Sequence, residues 1–108
     1  MSAGERVLIT GASGGVGTAA IQLANARGAT VFVTAGSDDK LLRCKDLGAS
    51  AGINYKKEKF AERIAALTAG EGVDVILDCI GGSYAEANIA SLRPQGRLVP
   101  QRLVGVDV

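Results

Sequence analysis

The chain has 108 residues, enough for one domain with a modest core, and 47% hydrophobic against 4% aromatic content makes that core aliphatic. A net charge of +1 without a long run of either sign provides no footprint for nucleic acid or an acidic membrane surface. Histidine is absent and the two cysteines, Cys44 and Cys79, are isolated, so no metal is expected and a reducing, cytoplasmic compartment fits best.

Met1 to Glu5 lacks the apolar stretch of a signal peptide, and no apolar run approaches membrane-spanning length. Val7-Leu8-Ile9, ending in Thr10, reads as a buried strand. Glycines follow at Gly11, Gly14, Gly15 and Gly17, and then a run of helical periodicity. Val16, Ala19, Ala20, Leu23 and Ala24 are expected to form its apolar face, with Gly28 as the stop. Thr30 to Thr34 is β-branched and reads as a second strand. Asp38 or Asp39 can cap a second helix that buries Leu41, Leu42 and Leu47 and ends at Gly48.

Ala51 to Tyr55 is a short third strand, and Lys57 to Ala69 a third helix with Phe60, Ile64 and Leu67 on one face. Val73 to Ile80 is a fourth strand, broken by Gly81-Gly82. A fourth helix is expected from Tyr84 to Leu92 and a fifth strand from Gly96 to Val99. Strands alternating with helices imply an α/β fold, a doubly wound, Rossmann-like parallel sheet of order 3-2-1-4-5 with helices on both faces.

Strand, glycine-rich turn and helix in succession form a phosphate-binding unit. The turn needs the backbone freedom of glycine, and a pyrophosphate must come close to that backbone. The first helical turn then offers N–H groups and the positive end of its dipole. Gly11, Ser13, Gly14, Gly15, Val16 and Gly17 are therefore candidate cofactor-binding residues. Glycine loops also serve as plain turns, but the flanking strand and helix argue for the phosphate site.

Ligands of such sheets bind at the carboxyl ends of the strands. NAD sites usually place an acid at the end of the second strand for the ribose 2′-OH, and here Ala35-Gly36-Ser37 has none. Ser37, Lys40, Tyr55 and Lys56 bring two hydroxyls and two cations to this corner, which suits a 2′-phosphate and hence NADP(H). Asp38 and Asp39 lie close enough to serve as the NAD-type acid but are more simply helix-start residues; the other bland alternatives are solvated charges for the lysines and a core lid for Tyr55.

The segments GASGGVGTAAIQLA, VTAGSDDK, LGASAGINYKKE, GVDVILDCIGGSY and GRLV resemble the cofactor domain of quinone oxidoreductases, in the zinc-independent branch of the medium-chain dehydrogenase/reductase family. The likeness runs from Gly4 to Val99 and implies an AxxGxxG-type NADPH loop with Gly11 in the alanine position. It further implies phosphate-binding roles for Lys40 and Tyr55, and a place near the nicotinamide ribose for Cys79, Ile80 and Gly81. It implies hydride transfer from NADPH to a quinone or other electrophilic alkene, and a homodimer paired through an edge strand, here Leu98 to Val108. Residues 1–108 would then be the NADP(H)-binding domain only, with the catalytic domain outside the chain. A stand-alone nucleotide-binding module without turnover is the alternative.

Two features depart from that family: its catalytic segments are absent, and Pro100-Gln101-Arg102 replaces a glycine-containing loop. Thr10 to Gly17 also fits the TGxxxGxG pattern of short-chain dehydrogenases, and Tyr55 to Lys59 spells their YxxxK, but after the third strand rather than the fourth. No lysine follows Gly17, which excludes a nucleoside-triphosphatase loop. Cys79 without a histidine partner reads as site lining, and no catalytic residue is assigned.

Overall fold

The computed structural model describes residues 4–12, 14–79, 88 and 90–100. Five strands, β1 (Arg6–Thr10), β2 (Thr30–Ala35), β3 (Ala51–Asn54), β4 (Val73–Asp78) and β5 (Leu92–Pro100), form one sheet of order β3-β2-β1-β4-β5. Every neighbouring pair is parallel. Parallel neighbours need long crossovers; three of them contain α1 (Gly15–Ala26), α2 (Asp38–Asp46) and α3 (Phe60–Leu67). The expected order and strand direction are thus observed.

The period-2 alternation of the strands feeds two cores. Val7, Ile9, Val31, Val33, Val75 and Leu77 meet Ile21 and Ala24 of α1 and Cys44 of α2 on one face. Leu8, Phe32, Ile53 and Ile76 meet Phe60 and Ile64 of α3 on the other. Helices therefore cover both faces. Beside α1, an apolar groove of about 430 Å³ runs between Ala20 and Leu23 on the helix and Val75, Leu77 and Val99 on the sheet.

Several local expectations are corrected. α1 buries Gly17, Ile21 and Ala24, while Ala19 and Leu23 are exposed. The cause is Gly17: a Cβ there would lie 2.5 Å from the Ala12 carbonyl oxygen, so the helix rests on the turn through its smallest residue and is rotated accordingly. In α2, Cys44 is buried, Leu41 and Leu47 flank it, and Leu42 is 63% exposed. Leu41, Cys44 and Leu47 follow one another at intervals of three residues, roughly one turn each, which leaves Leu42 on another face.

The third helix begins at Phe60 rather than Lys57. Asn54 closes a turn first: its side-chain oxygen accepts from the Lys56 N–H at 3.0 Å and its carbonyl from the N–H groups of Lys57 and Glu58. The same helix ends at Leu67, because the Thr68 hydroxyl donates to the Ile64 carbonyl at 2.8 Å and accepts from the Gly72 N–H at 2.9 Å. β4 ends at Asp78. Leu92, expected to end a helix, pairs with Val73 in β5, and the register then jumps to Val75↔Arg97. Gln95, at φ 69°, turns the intervening bulge. Most of the expected fourth helix, with Tyr84, and the segment after Pro100 lie outside the described residues.

Candidate nucleotide site

The glycine turn leaves β1 at the centre of the carboxyl edge. Gly11 has φ 64°, a left-handed conformation that glycine adopts without strain. Its N–H donates to the Thr34 hydroxyl at 3.1 Å, and the Ala12 N–H to the Thr34 carbonyl at 2.9 Å, so the end of β2 braces the turn. On the other side, the Thr10 hydroxyl donates to Asp78 at 2.9 Å and the Cys79 N–H to the Thr10 carbonyl at 3.1 Å. Thr34 and Asp78 were not among the residues expected at the site; a threonine and an acid at the ends of apolar strands were the available signal.

Gly14 is the N-cap of α1, makes no side-chain cap, and the first helical turn holds no acid. Among the described residues, a Cβ at Gly14 or Gly15 would meet nothing within 4 Å beyond its chain neighbours and its own helix. Among the described residues, no side chain therefore stands over Gly14 and Gly15 at the amino end of this 12-residue helix. That arrangement fits a pyrophosphate. Val16 is half-buried and Gly17 is packed on Ala12, so they contribute backbone rather than side chain. Ser13 lies outside the described residues.

The second cluster forms where β2 and β3 end side by side. Ser37, in extended conformation at φ −153°, is the N-cap of α2: its hydroxyl oxygen accepts from the Lys40 N–H at 3.3 Å. The cap is thus Ser37, not Asp38 or Asp39, and its hydroxyl hydrogen remains able to donate. Lys40 stands exposed in the first turn. Across the edge, a Cβ at Gly36 would lie 3.0 Å from the Tyr55 hydroxyl and 3.4 Å from Lys56 Cε. Glycine at position 36 therefore lets the loop after β3 fold over the end of β2. Tyr55 and Lys56 thus lie against Gly36, which precedes Ser37, the residue whose hydroxyl takes the Lys40 N–H.

Asp38 takes part differently. One carboxylate oxygen accepts from Lys57 Nζ at 2.7 Å, the other from the Asn54 amide at 3.1 Å. The Lys57 hydrogen bond, followed by that of Asn54, holds this carboxyl below its usual range, and Asp38 in turn raises the Lys57 ammonium.

Cys79 is half-buried just past β4. Burial, followed by the neighbouring Asp78 carboxylate, pushes its thiol up. Ile80 and Gly81 lie outside the described residues. Tyr55 stands in a turn five residues before the start of α3, so Tyr55 and Lys59 do not share a helix as the short-chain dehydrogenase pattern requires. Among the described residues, no three acidic, cysteine or histidine side chains gather as metal ligands, and no helix is long and apolar enough to cross a membrane.

Residues 15–106 match the family described as zinc-binding dehydrogenase. Among solved structures, the chain is similar to the Escherichia coli quinone oxidoreductase complexed with NADPH, with TM-score 0.88 and 34% identity over 93% of this chain and 31% of that one. It is also similar to the CurK enoyl reductase, with TM-score 0.85 and 46% identity over 93% of this chain and 30% of that one. A phenolphthiocerol/phthiocerol polyketide synthase of Mycobacterium tuberculosis is 41% identical over 99 residues, 92% of this chain and 4% of that protein. The chain thus spans less than a third of the length of each of these relatives. With its all-parallel sheet and its glycine turn at the sheet's centre, the chain belongs to the zinc-binding dehydrogenase family, the medium-chain dehydrogenase/reductase oxidoreductases with a Rossmann-like nucleotide-binding fold.

Proposed function

We propose that residues 1–108 form the NADP(H)-binding domain of an oxidoreductase that passes a hydride from NADPH to a quinone or a related electrophilic alkene. The observation that carries this reading is the convergence of Tyr55 and Lys56 over Gly36, beside Ser37 and Lys40. Two hydroxyls and two ammonium groups there match a 2′-phosphate. The NADPH named with the E. coli relative supports the same cofactor.

In this reading Gly11, Ser13, Gly14, Gly15, Val16 and Gly17 bind the cofactor, with N–H groups of the first helical turn taking the pyrophosphate. Ser37 and Tyr55 donate hydroxyl hydrogens to the 2′-phosphate, and Lys40 and Lys56 neutralise it. Cys79, Ile80 and Gly81 line the nicotinamide ribose. When bound, NADPH supplies the hydride; the protein orients the cofactor and shields it from water. No side chain of this chain is assigned a catalytic role. The likeness to an enoyl reductase, at 46% identity, favours an enoyl acceptor as the second reading.

The test is a calorimetric titration of the chain with NADPH and with NADH, repeated with Lys40→Ala. A charge-assisted phosphate contact is worth about 1.5–3 kcal/mol, so NADPH should bind at least about tenfold more tightly, and the mutant should lose most of that advantage. Equal affinity for the two nucleotides in the unmutated chain refutes the 2′-phosphate site. NADPH consumption with a quinone and with an enoyl thioester measures turnover, which we expect to be negligible for this chain alone; activity at rates comparable to complete reductases would refute that expectation. Self-association belongs to the same reading, since β5 is an edge strand of the described sheet. Sedimentation that stays monomeric at all concentrations would refute it. The free Cys44 and Cys79 suit a cytoplasmic setting.

A further inference from the structure

Asp38 is the acid nearest the end of β2, three residues past Ala35. In dinucleotide folds, an acid in this region accepts a hydrogen bond from the ribose 2′-OH and repels a 2′-phosphate. Left free, Asp38 would favour NADH. It is not free. Lys57 Nζ lies 2.7 Å from one of its oxygens and the Asn54 amide 3.1 Å from the other, so both oxygens are turned to the loop after β3.

Asn54 is well placed to hold it. It is 6% exposed, at the end of β3, and its own side-chain oxygen is fixed by the Lys56 N–H at 3.0 Å. Its carbonyl accepts the Lys57 N–H at 3.0 Å, which sets the backbone from which Lys57 reaches back. The Asp38–Lys57 pair cancels one charge of each sign. Among the described residues, Lys40 and Lys56 take part in no ion pair, so the corner keeps a net positive balance beside Ser37 and Tyr55.

We propose that Lys57 and Asn54 are positioning residues for cofactor choice: by holding the Asp38 carboxylate on the loop after β3, they keep it from the ribose and so set the preference for NADPH over NADH. This rests on the nucleotide-binding reading above. Removing Lys57 does two things in this mechanism. It uncovers a negative charge close to a dianionic phosphate, and it frees an acceptor for an unphosphorylated ribose. Both act through Asp38, so both must vanish when Asp38 is replaced by a neutral side chain.

The experiment is a mutant cycle on the 108-residue chain. NADPH and NADH affinities are measured by calorimetry for the unmutated chain, Lys57→Met, Asp38→Asn and the double mutant. Lys57→Met should lower the NADPH/NADH ratio about fivefold, the effect of one uncompensated unit charge a few ångströms away in water. Asp38→Asn should keep or raise the ratio, and the double mutant should match Asp38→Asn. A fall of the same size when Lys57→Met is added to Asp38→Asn would mean that Lys57 touches the phosphate itself, and overturns the proposal. An unchanged ratio in Lys57→Met overturns it too. Asp39→Asn is the control for the neighbouring acid: the Lys57 effect should persist in it, and its disappearance there would shift the role to Asp39 and overturn the proposal.

A second readout needs no nucleotide. Carboxyl-carbon NMR should show the Asp38 titration moving up towards the ordinary aspartate range in Lys57→Met; no movement refutes the clamp. If the folded, unmutated chain binds neither nucleotide, the functional reading falls, whereas an NADPH preference insensitive to Lys57 removes only this inference.

Discussion

At the scale of single residues, the glycines of the turn divide into two kinds. Gly17 is fixed by packing, because a Cβ there would sit 2.5 Å from the Ala12 carbonyl oxygen and 2.6 Å from its Cα, both backbone atoms that cannot swing aside. Gly17→Ala should therefore cost about 1–3 kcal/mol by overpacking, read as a lower urea midpoint. Gly15→Ala meets nothing, lies in a helix and should leave stability unchanged or slightly raised. Its methyl would stand where a pyrophosphate approaches, so nucleotide affinity should fall while stability does not. Full affinity in a stable Gly15→Ala variant would show that the turn does not contact the phosphates.

At the scale of elements, the N-cap of α2 and the acid on β4 each tie two features together. Ser37 caps α2 through the Lys40 N–H. Ser37→Ala should cost about 1 kcal/mol, and Ser37→Gly only a few tenths, since glycine lets water reach the freed N–H. Both variants lack the hydroxyl, so both should weaken NADPH binding alike; parallel loss of stability and affinity would instead make the effect purely structural. Asp74 of β4 accepts from the Arg6 N–H at 2.8 Å and from the Arg93 guanidinium at 2.5 Å, bridging β1, β4 and β5. The Arg6 N–H above all, with Arg93 adding to it, holds the carboxyl below its ordinary 3.8 against the opposing pull of burial. A lowered folded-state value means that the stabilisation is complete above the unfolded value and is lost as the pH falls through the folded one. The unfolding midpoint should thus decline below about pH 4, and Asp74→Asn should flatten that acid limb. The mutant should also lose about 1–3 kcal/mol at neutral pH; an unchanged acid limb would remove Asp74 from the account.

At the scale of the molecule, stability rests on the central strands, which are buried on both faces. Leu8 is completely buried in the core shared with α3, and Leu8→Ala should cost about 2–5 kcal/mol. Against a total of about 5–15 kcal/mol for a domain, that is enough to populate the unfolded state at moderate temperature. Leu42, 63% exposed on α2, should tolerate alanine within about 0.5 kcal/mol, although the two leucines look alike in the sequence. Thermal unfolding of the pair checks this; a comparable loss at Leu42 would mean that its face of α2 is covered in solution.

The order of the sheet, its parallel strands, the glycine turn and the lysine-rich corner were legible in the sequence. They depend on local signals: β-branched runs, helical spacing, and glycine where the backbone must turn. The edges of elements were less so, because individual side-chain hydrogen bonds and strand pairings set them rather than residue spacing. Asn54 closes a turn that delays α3 to Phe60, and the pairing of β4 with Leu92 begins a strand where helical spacing had placed the end of a helix. The face that α1 buries was likewise decided by the contact of Gly17 with Ala12, which no periodicity encodes. The sequence places Lys40 after β2 and Lys56 and Lys57 after β3. Only the tertiary structure decided which charges remain available there, because Lys57 is 19 positions from Asp38 in the chain and 2.7 Å from it in space.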